Sequence, residues 1–232
     1  MNELTSIPVL DKGYVELVEI FGNELTIVNA ARVSFDKSKT ELDEADIKLL
    51  RYLKKHKHFS PFRHLMFRFK IKAPEFVMRQ LYKHVVGIEA TAENAFKDTA
   101  WNEVSMRYKS LTDFYVPEVW RKQSKLNKQG SDGELSPDQQ RVSSDLYNKT
   151  LTDMITCYNE LLSNDVAREQ ARVLLPLSIY TSVSWCCSFQ ALANFIELRR
   201  ESDSQYEIRK YADAMVEILK EKLPVLYDVW FE

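Results

Sequence analysis

Only five of the 232 residues are glycine and seven are proline, and this scarcity constrains the fold more than any other feature of the chain. Tight turns lean on those residues, so a turn-rich all-β architecture is disfavoured and long helices are expected. The apolar pattern agrees. Glu41 to His56 places Leu42, Ala45, Leu49, Tyr52 and Leu53 at helical spacing, with basic residues crowding its last turn to match the dipole. Pro137 to Leu162 reads as a long amphipathic helix with Val142, Leu146, Leu151, Met154 and Leu161 on its apolar side. Further helices are expected over Leu25–Val33, after Pro74, from an Asp165 cap to Leu175, from a Ser188 cap to Arg199, and from Asp203 to Pro224, before a Trp/Phe-rich tail.

Period-two alternation is clearest from Leu65 to Lys72, where Leu65, Phe67, Phe69 and Ile71 alternate with Met66, Arg68, Lys70 and Lys72. Tyr14–Ile20 alternates more loosely before Gly22-Asn23, and Ile179–Cys187 reads as a buried strand. About three or four strands among five or six helices, without strict βαβ alternation, predict an α+β fold. The expectation is a single domain over 1–232, a mixed or antiparallel sheet packed against a set of long helices. A polar stretch at about 121–137, carrying Gly130 and Gly133, is expected as an exposed excursion from it.

A net charge of −2 provides no global field to draw the chain to nucleic acid or an anionic membrane, so no nucleic acid or membrane partner is expected. Any anion must be held by locally placed arginine and lysine. The three cysteines, Cys157, Cys186 and Cys187, lack metal-ligand spacing and are read as reduced, partly buried thiols of a cytoplasmic protein. No leader or spanning run is seen in the sequence. The four histidines, His56, His58, His64 and His84, cluster in sequence, but no carboxylate lies among the first three, and no metal is expected. Neither a glycine-rich phosphate loop nor a nucleophile elbow is present, which points to a bound cofactor for any difficult chemistry.

Two constellations carry candidate chemistry. In Thr99–Tyr108, Glu103, Ser105 and Arg107 recur at every second position, so an extended segment would turn all three to one face. A hydroxyl beside a guanidinium suits phosphate, which arginine meets with a planar fork of donors. A solvated, charge-alternating edge strand remains an open reading of the same pattern. The second constellation pairs Arg168 with Arg172, four apart on one expected helix, and adds Arg199 and Arg200. Arg172 precedes Val-Leu-Leu-Pro176, and Arg199 follows Asn194-Phe-Ile-Glu-Leu198. A cation in such apolar surroundings calls for an anionic or acceptor partner.

Taken in order, Ala31-Arg-Val-Ser-Phe35, Ser60-Pro-Phe-Arg-His64, Lys72-Ala-Pro-Glu-Phe-Val-Met-Arg-Gln80, Trp101–Tyr108, Ala171–Leu177, Asn194–Arg199 and Ser204–Arg209 give the chain a pattern that resembles the flavin-dependent thymidylate synthases nearly end to end. The resemblance implies conversion of dUMP to dTMP with 5,10-methylenetetrahydrofolate as methylene donor and NADPH-reduced FAD as hydride source. It also implies a homotetramer with sites between subunits. It assigns Arg199 to the pyrimidine as the catalytic cation, and Ser105, Arg107 and Arg172 to the phosphate. Arg79, Gln80, Lys83, Glu103, Val104 and Met106 would line the same dUMP site. Ser60, Lys83, His84, Val85, Glu103, Ser188, Gln190 and Asn194 match FAD-contacting positions, and His58 and His84 stand beside the folate and flavin rings. Two departures are plain. Lys83-His84-Val85 stands where most members carry Arg-His-Arg, and the insert at 87–100 is about a dozen residues longer than the common spacing. A non-catalytic dUMP-binding relative and a helical interaction protein are the alternatives to this reading.

Overall fold

A computed structural model of the chain describes residues 5–84, 99–110 and 112–232; Val85 and most of the 87–100 insert lie outside these. Strands β1 (Thr5–Val9) and β2 (Gly13–Phe21) lead to helices α1 (Glu24–Arg32) and α2 (Glu44–Lys55). A short 3-10 turn, Ser60–Arg63, precedes β3 (Met66–Pro74) and α3 (Glu75–Leu81). Then come β4 (Thr99–Glu103), β5 (Arg121–Gln123), β6 (Ser131–Glu134), α4 (Pro137–Ser163) and α5 (Arg168–Ala171). A 3-10 turn at Arg172–Leu174 leads to β7 (Tyr180–Ser188), α6 (Phe189–Arg199), α7 (Tyr206–Lys222) and α8 (Pro224–Phe231).

The main sheet has the order β1-β2-β3-β7-β4, and every pairing in it is antiparallel. Its centre is the long β3–β7 ladder, running from Met66 opposite Ser188 to Pro74 opposite Tyr180. The alternation read from sequence is the reason β3 sits there. Phe67, Phe69 and Ile71 are buried on the helix side while Arg68 and Lys70 reach solvent. Beneath that face lie α6, α7 and α8, joined by an aromatic knot in which Trp230 meets Phe62 at 4.8 Å and Phe189 at 5.0 Å, both edge-on.

Local signals explain the helix starts. Asn23, Asp43 and Ser136 form capping boxes with Thr26, Asp46 and Gln139, and the Ser188 hydroxyl accepts from the Ala191 N–H at 3.2 Å. Asp165 is no cap: it adopts a left-handed φ of 61°, and the short α5 begins at Arg168 behind Ala167. The final helix starts at Tyr206, three residues beyond Asp203, and the aromatic tail forms a separate helix with Pro224 at its first position. The polar excursion contains the β5–β6 hairpin and is tied down at its base by Arg121. Cys157 is exposed, not partly buried, whereas Cys186 and Cys187 are half-buried and buried.

Candidate functional site

The two central strands each run directly into a helix, and those helices carry most of the candidate residues. At the end of β3, Glu75 opens α3; Arg79 is exposed on it, Gln80 is half-buried, and exposed Lys83 and half-buried His84 follow its last turn. At the opposite end of the ladder, β7 turns into α6 at Ser188, and Arg199 ends that helix. The Arg199 Nε donates to His84 Nε2 at 2.8 Å, and the His84 ring stands edge-on to Phe195 at 5.1 Å. Burial and the adjacent guanidinium together hold the imidazole down to about 4, so it is neutral and can accept this bond at pH 7. Desolvation also lowers the Arg199 value, the mark of a cation taken partly out of water. Among the described residues no carboxylate pairs with Arg199, whereas its neighbour Arg200 bonds Asp213 at 3.1 Å.

A second group gathers at the sheet edge. β4 pairs with β7 from Thr99 opposite Cys187 to Glu103 opposite Val183. The Thr181 hydroxyl donates to Glu103 at 2.9 Å, and Glu103 also hydrogen-bonds Glu75. Burial, reinforced by Glu103, pushes Glu75 up to about 7, while Arg79 pulls the other way. The Glu75 carboxyl therefore keeps its proton up to near neutrality and can donate it to Glu103. The extended face expected across Glu103, Ser105 and Arg107 stops at Glu103. Exposed Val104 still bonds Ser182, but the Ser105 carbonyl then accepts from Tyr108 and Lys109, closing a turn around half-buried Met106. Arg107 is exposed, with its guanidinium 5.5 Å from the Tyr108 ring, and its backbone N–H donates to the Ser105 hydroxyl.

Other assigned residues sit elsewhere. Arg172 is half-buried at the start of its 3-10 turn, and among the described residues no hydrogen bond or ion pair joins it, Ser105 or Arg107 to Arg199. His58 belongs to a surface cluster with Tyr52 and His56 beyond α2. Ser60 and Asn194 are exposed. Ser188 is fully buried as the α6 cap, and Gln190, 6% exposed, accepts from Arg63 Nε at 2.7 Å. Ser188 thus caps the helix, and Gln190 holds Arg63 at its start. No three His, Cys, Asp or Glu side chains assemble into a metal site among the described residues.

Several participants were not singled out from sequence. Gln80 donates to Gln205 at 2.6 Å, Gln205 to Glu207 at 2.9 Å, and buried Glu207 is paired by Arg121 at 2.7 Å and by the Tyr115 hydroxyl at 3.1 Å. This chain of bonds fixes Gln80 from behind and ends at a cavity of about 680 Å³ bounded by Asp11, Tyr115, Arg121, Glu134, Tyr206 and Lys210. Glu207 could have been suspected from the Gln205-Tyr206-Glu207 run, but its partner Arg121 carries no local signal.

The family model described as thymidylate synthase complementing protein matches residues 16–225. A flavin-dependent thymidylate synthase of Thermus thermophilus is 41% identical over 228 residues, 98% of this chain and 78% of the relative. That of Kosmotoga olearia is 41% identical over 229 residues, 97% of this chain and 92% of the relative. Among solved structures, the UMP/dUMP methylase PolB of Streptomyces cacaoi bound with 5-Br dUMP superposes with a TM-score of 0.80 at 28% identity, covering 96% of both chains. Sequence and architecture agree from end to end, and the chain belongs to the flavin-dependent thymidylate synthase family.

Proposed function

We propose that this protein methylates dUMP to dTMP, using 5,10-methylenetetrahydrofolate as carbon donor, FAD as cofactor and NADPH as reductant. The observation that carries the reading is Arg199, a partly desolvated guanidinium held by a neutral imidazole and not by a carboxylate. Its charge is thereby left for a substrate anion. Beside a pyrimidine it favours ionisation at N3, which enriches C5 in electron density and makes it the nucleophile. No enzymic nucleophile is needed. Gln80, fixed by Gln205, orients the ring, while Ser105, Arg107 and Arg172 hold the phosphate.

The residues along α6 fit a flavin nucleotide. Ser60 and Arg63 at its start, Asn194 midway, and Lys83, His84 and Arg199 at its end offer hydroxyl, amide, imidazole and cationic groups. The nine helical steps from Gln190 to Arg199 span about 13 Å, a length suited to an elongated anionic ligand. FAD held by these residues would supply the relay of reducing equivalents from NADPH to the transferred carbon. Among the described residues no hydrogen bond or ion pair joins the proposed phosphate residues to Arg199 within one chain, and α4 exposes Val142, Leu146 and Met154. Both features support a homotetramer in which neighbouring subunits complete each site. The cytoplasm, where these substrates occur, is the proposed location.

The test is a flavin spectrum recorded with and without dUMP. Purified protein is expected to take up FAD, NADPH to bleach it in the presence of dUMP, and dTMP to appear when methylenetetrahydrofolate is added. Protein that binds no flavin and makes no dTMP would overturn the reading.

A further inference from the structure

Arg63 is a half-buried cation anchored at the start of α6. Just before it, Pro61 and Phe62 are buried, and the Phe62 ring lies 5.9 Å from Phe189 and 4.8 Å from Trp230. Just after it, the Leu65 carbonyl accepts from the Phe189 N–H at 2.8 Å. Its backbone is therefore clamped on both sides to the first turn of α6. The side chain is aimed as well, because its Nε donates to the oxygen of nine-tenths-buried Gln190 at 2.7 Å.

Engaging Nε leaves the two terminal nitrogens, with four of the five guanidinium N–H donors, for something else. Among the described residues no carboxylate lies within ion-pairing reach of Arg63. Some arginines of the chain are instead neutralised by carboxylates: Arg68 pairs with Glu19 at 2.9 Å and Arg200 with Asp213 at 3.1 Å. A half-buried guanidinium steered by a neutral amide, at the electropositive end of an eleven-residue helix, is set to receive an anion that is not part of the chain.

We propose that Arg63, steered by Gln190, grips the phosphate groups of the flavin nucleotide at the α6 N-terminus. The assignment rests on the flavin reading above and adds to it a cation outside the residues that the resemblance named. It also separates two ligand sites along one helix. The flavin phosphates lie at its start, and the dUMP ring lies about 13 Å away beside Arg199.

Fluorescence titrations of flavin-free protein with FAD, riboflavin and dUMP test it, in wild type, Arg63→Gln and Gln190→Leu. Arg63→Gln is expected to weaken FAD ten- to hundredfold, the usual span for one charge-assisted contact, while riboflavin, which has no phosphate, and dUMP bind as before. Gln190→Leu, which frees the guanidinium, is expected to weaken FAD several-fold. Unchanged FAD affinity in Arg63→Gln overturns the proposal, as does an equal loss for FAD and riboflavin, which would mark a packing effect. Unchanged FAD affinity in Gln190→Leu overturns the steering by Gln190. A wild-type protein that binds no FAD overturns the flavin reading itself, and this assignment with it.

Discussion

Replacing Glu75 by glutamine is expected to stabilise the protein at pH 8 and change it little at pH 5. Glu75 opens α3 facing Glu103, and burial is the larger of the effects that raise it from 4.5 to about 7. Between these values the folded chain keeps a proton that the unfolded chain has released. Stability therefore falls as pH rises through the window, and the full cost is present above it. At about 1.36 kcal/mol per pH unit the ceiling is about 3.4 kcal/mol. Glu75 is only half-buried, and solvent screening reduces this to about 1–2 kcal/mol. Glutamine carries no charge at any pH and can still donate an amide hydrogen to Glu103. Urea unfolding of both proteins at pH 5 and pH 8, with unchanged slopes, would report the difference directly. A gain of equal size at both pH values would refute the retained proton on Glu75, because a simple packing improvement has no pH dependence. A loss at pH 8 would refute it more strongly, since the ionised Glu75 would then be a net stabiliser.

Two further outcomes are expected. His84, buried beside Arg199 and held to about 4, leaves the folded chain neutral while the unfolded chain protonates near 6.5, so stability is lost as pH falls between those values. Arg199→Leu should raise the His84 titration only part of the way towards 6.5, because burial is the larger cause; an unchanged NMR titration would disprove the contact. Gly13→Ala should cost about 3 kcal/mol or more, since a β-carbon there would fall 2.1 Å from the Tyr211 hydroxyl and 2.7 Å from the Lys72 carbonyl, breaking the bond between them. A thermal midpoint within a degree of wild type would show that the site can relax.

How much of this could be read beforehand followed from where each signal resides. β3 was legible because half its side chains are buried and half are wet, so the period appears in the letters themselves. Ser188 was legible as a cap because the hydroxyl and the N–H that it satisfies lie three residues apart. β1 escaped because an edge strand with Pro8 has only a partial pattern, and β5 and β6 escaped because neither buries an apolar face. On α4 the apolar residues were identified, but their environment was not: Val142 and Leu146 are more than half exposed. Periodicity marks an apolar face without saying what covers it. In the site, Arg199 stood out as a cation in apolar company, yet its contact with His84, 115 positions away, is a product of the fold alone.

The contrast between Arg199 and Arg200 shows why that contact matters. Both arginines stand at the C-terminal end of α6, where the helix dipole already favours positive charge. Arg200 is neutralised by Asp213 and is structurally complete. Arg199 is positioned just as firmly by His84, but a neutral ring fixes orientation without consuming charge. A carboxylate in place of His84 would hold the guanidinium equally well but would neutralise the charge that the proposed chemistry uses. A protonated imidazole could not accept the bond at all. The burial that keeps His84 neutral is therefore a functional requirement of the proposed chemistry, and it is met by Phe195 packing against the ring. This predicts that exposing His84, as in Phe195→Ala, weakens the hold on Arg199 by letting the imidazole protonate at higher pH. Activity should then be lost preferentially on the acid side of neutrality, and a uniform loss across pH would sink the argument.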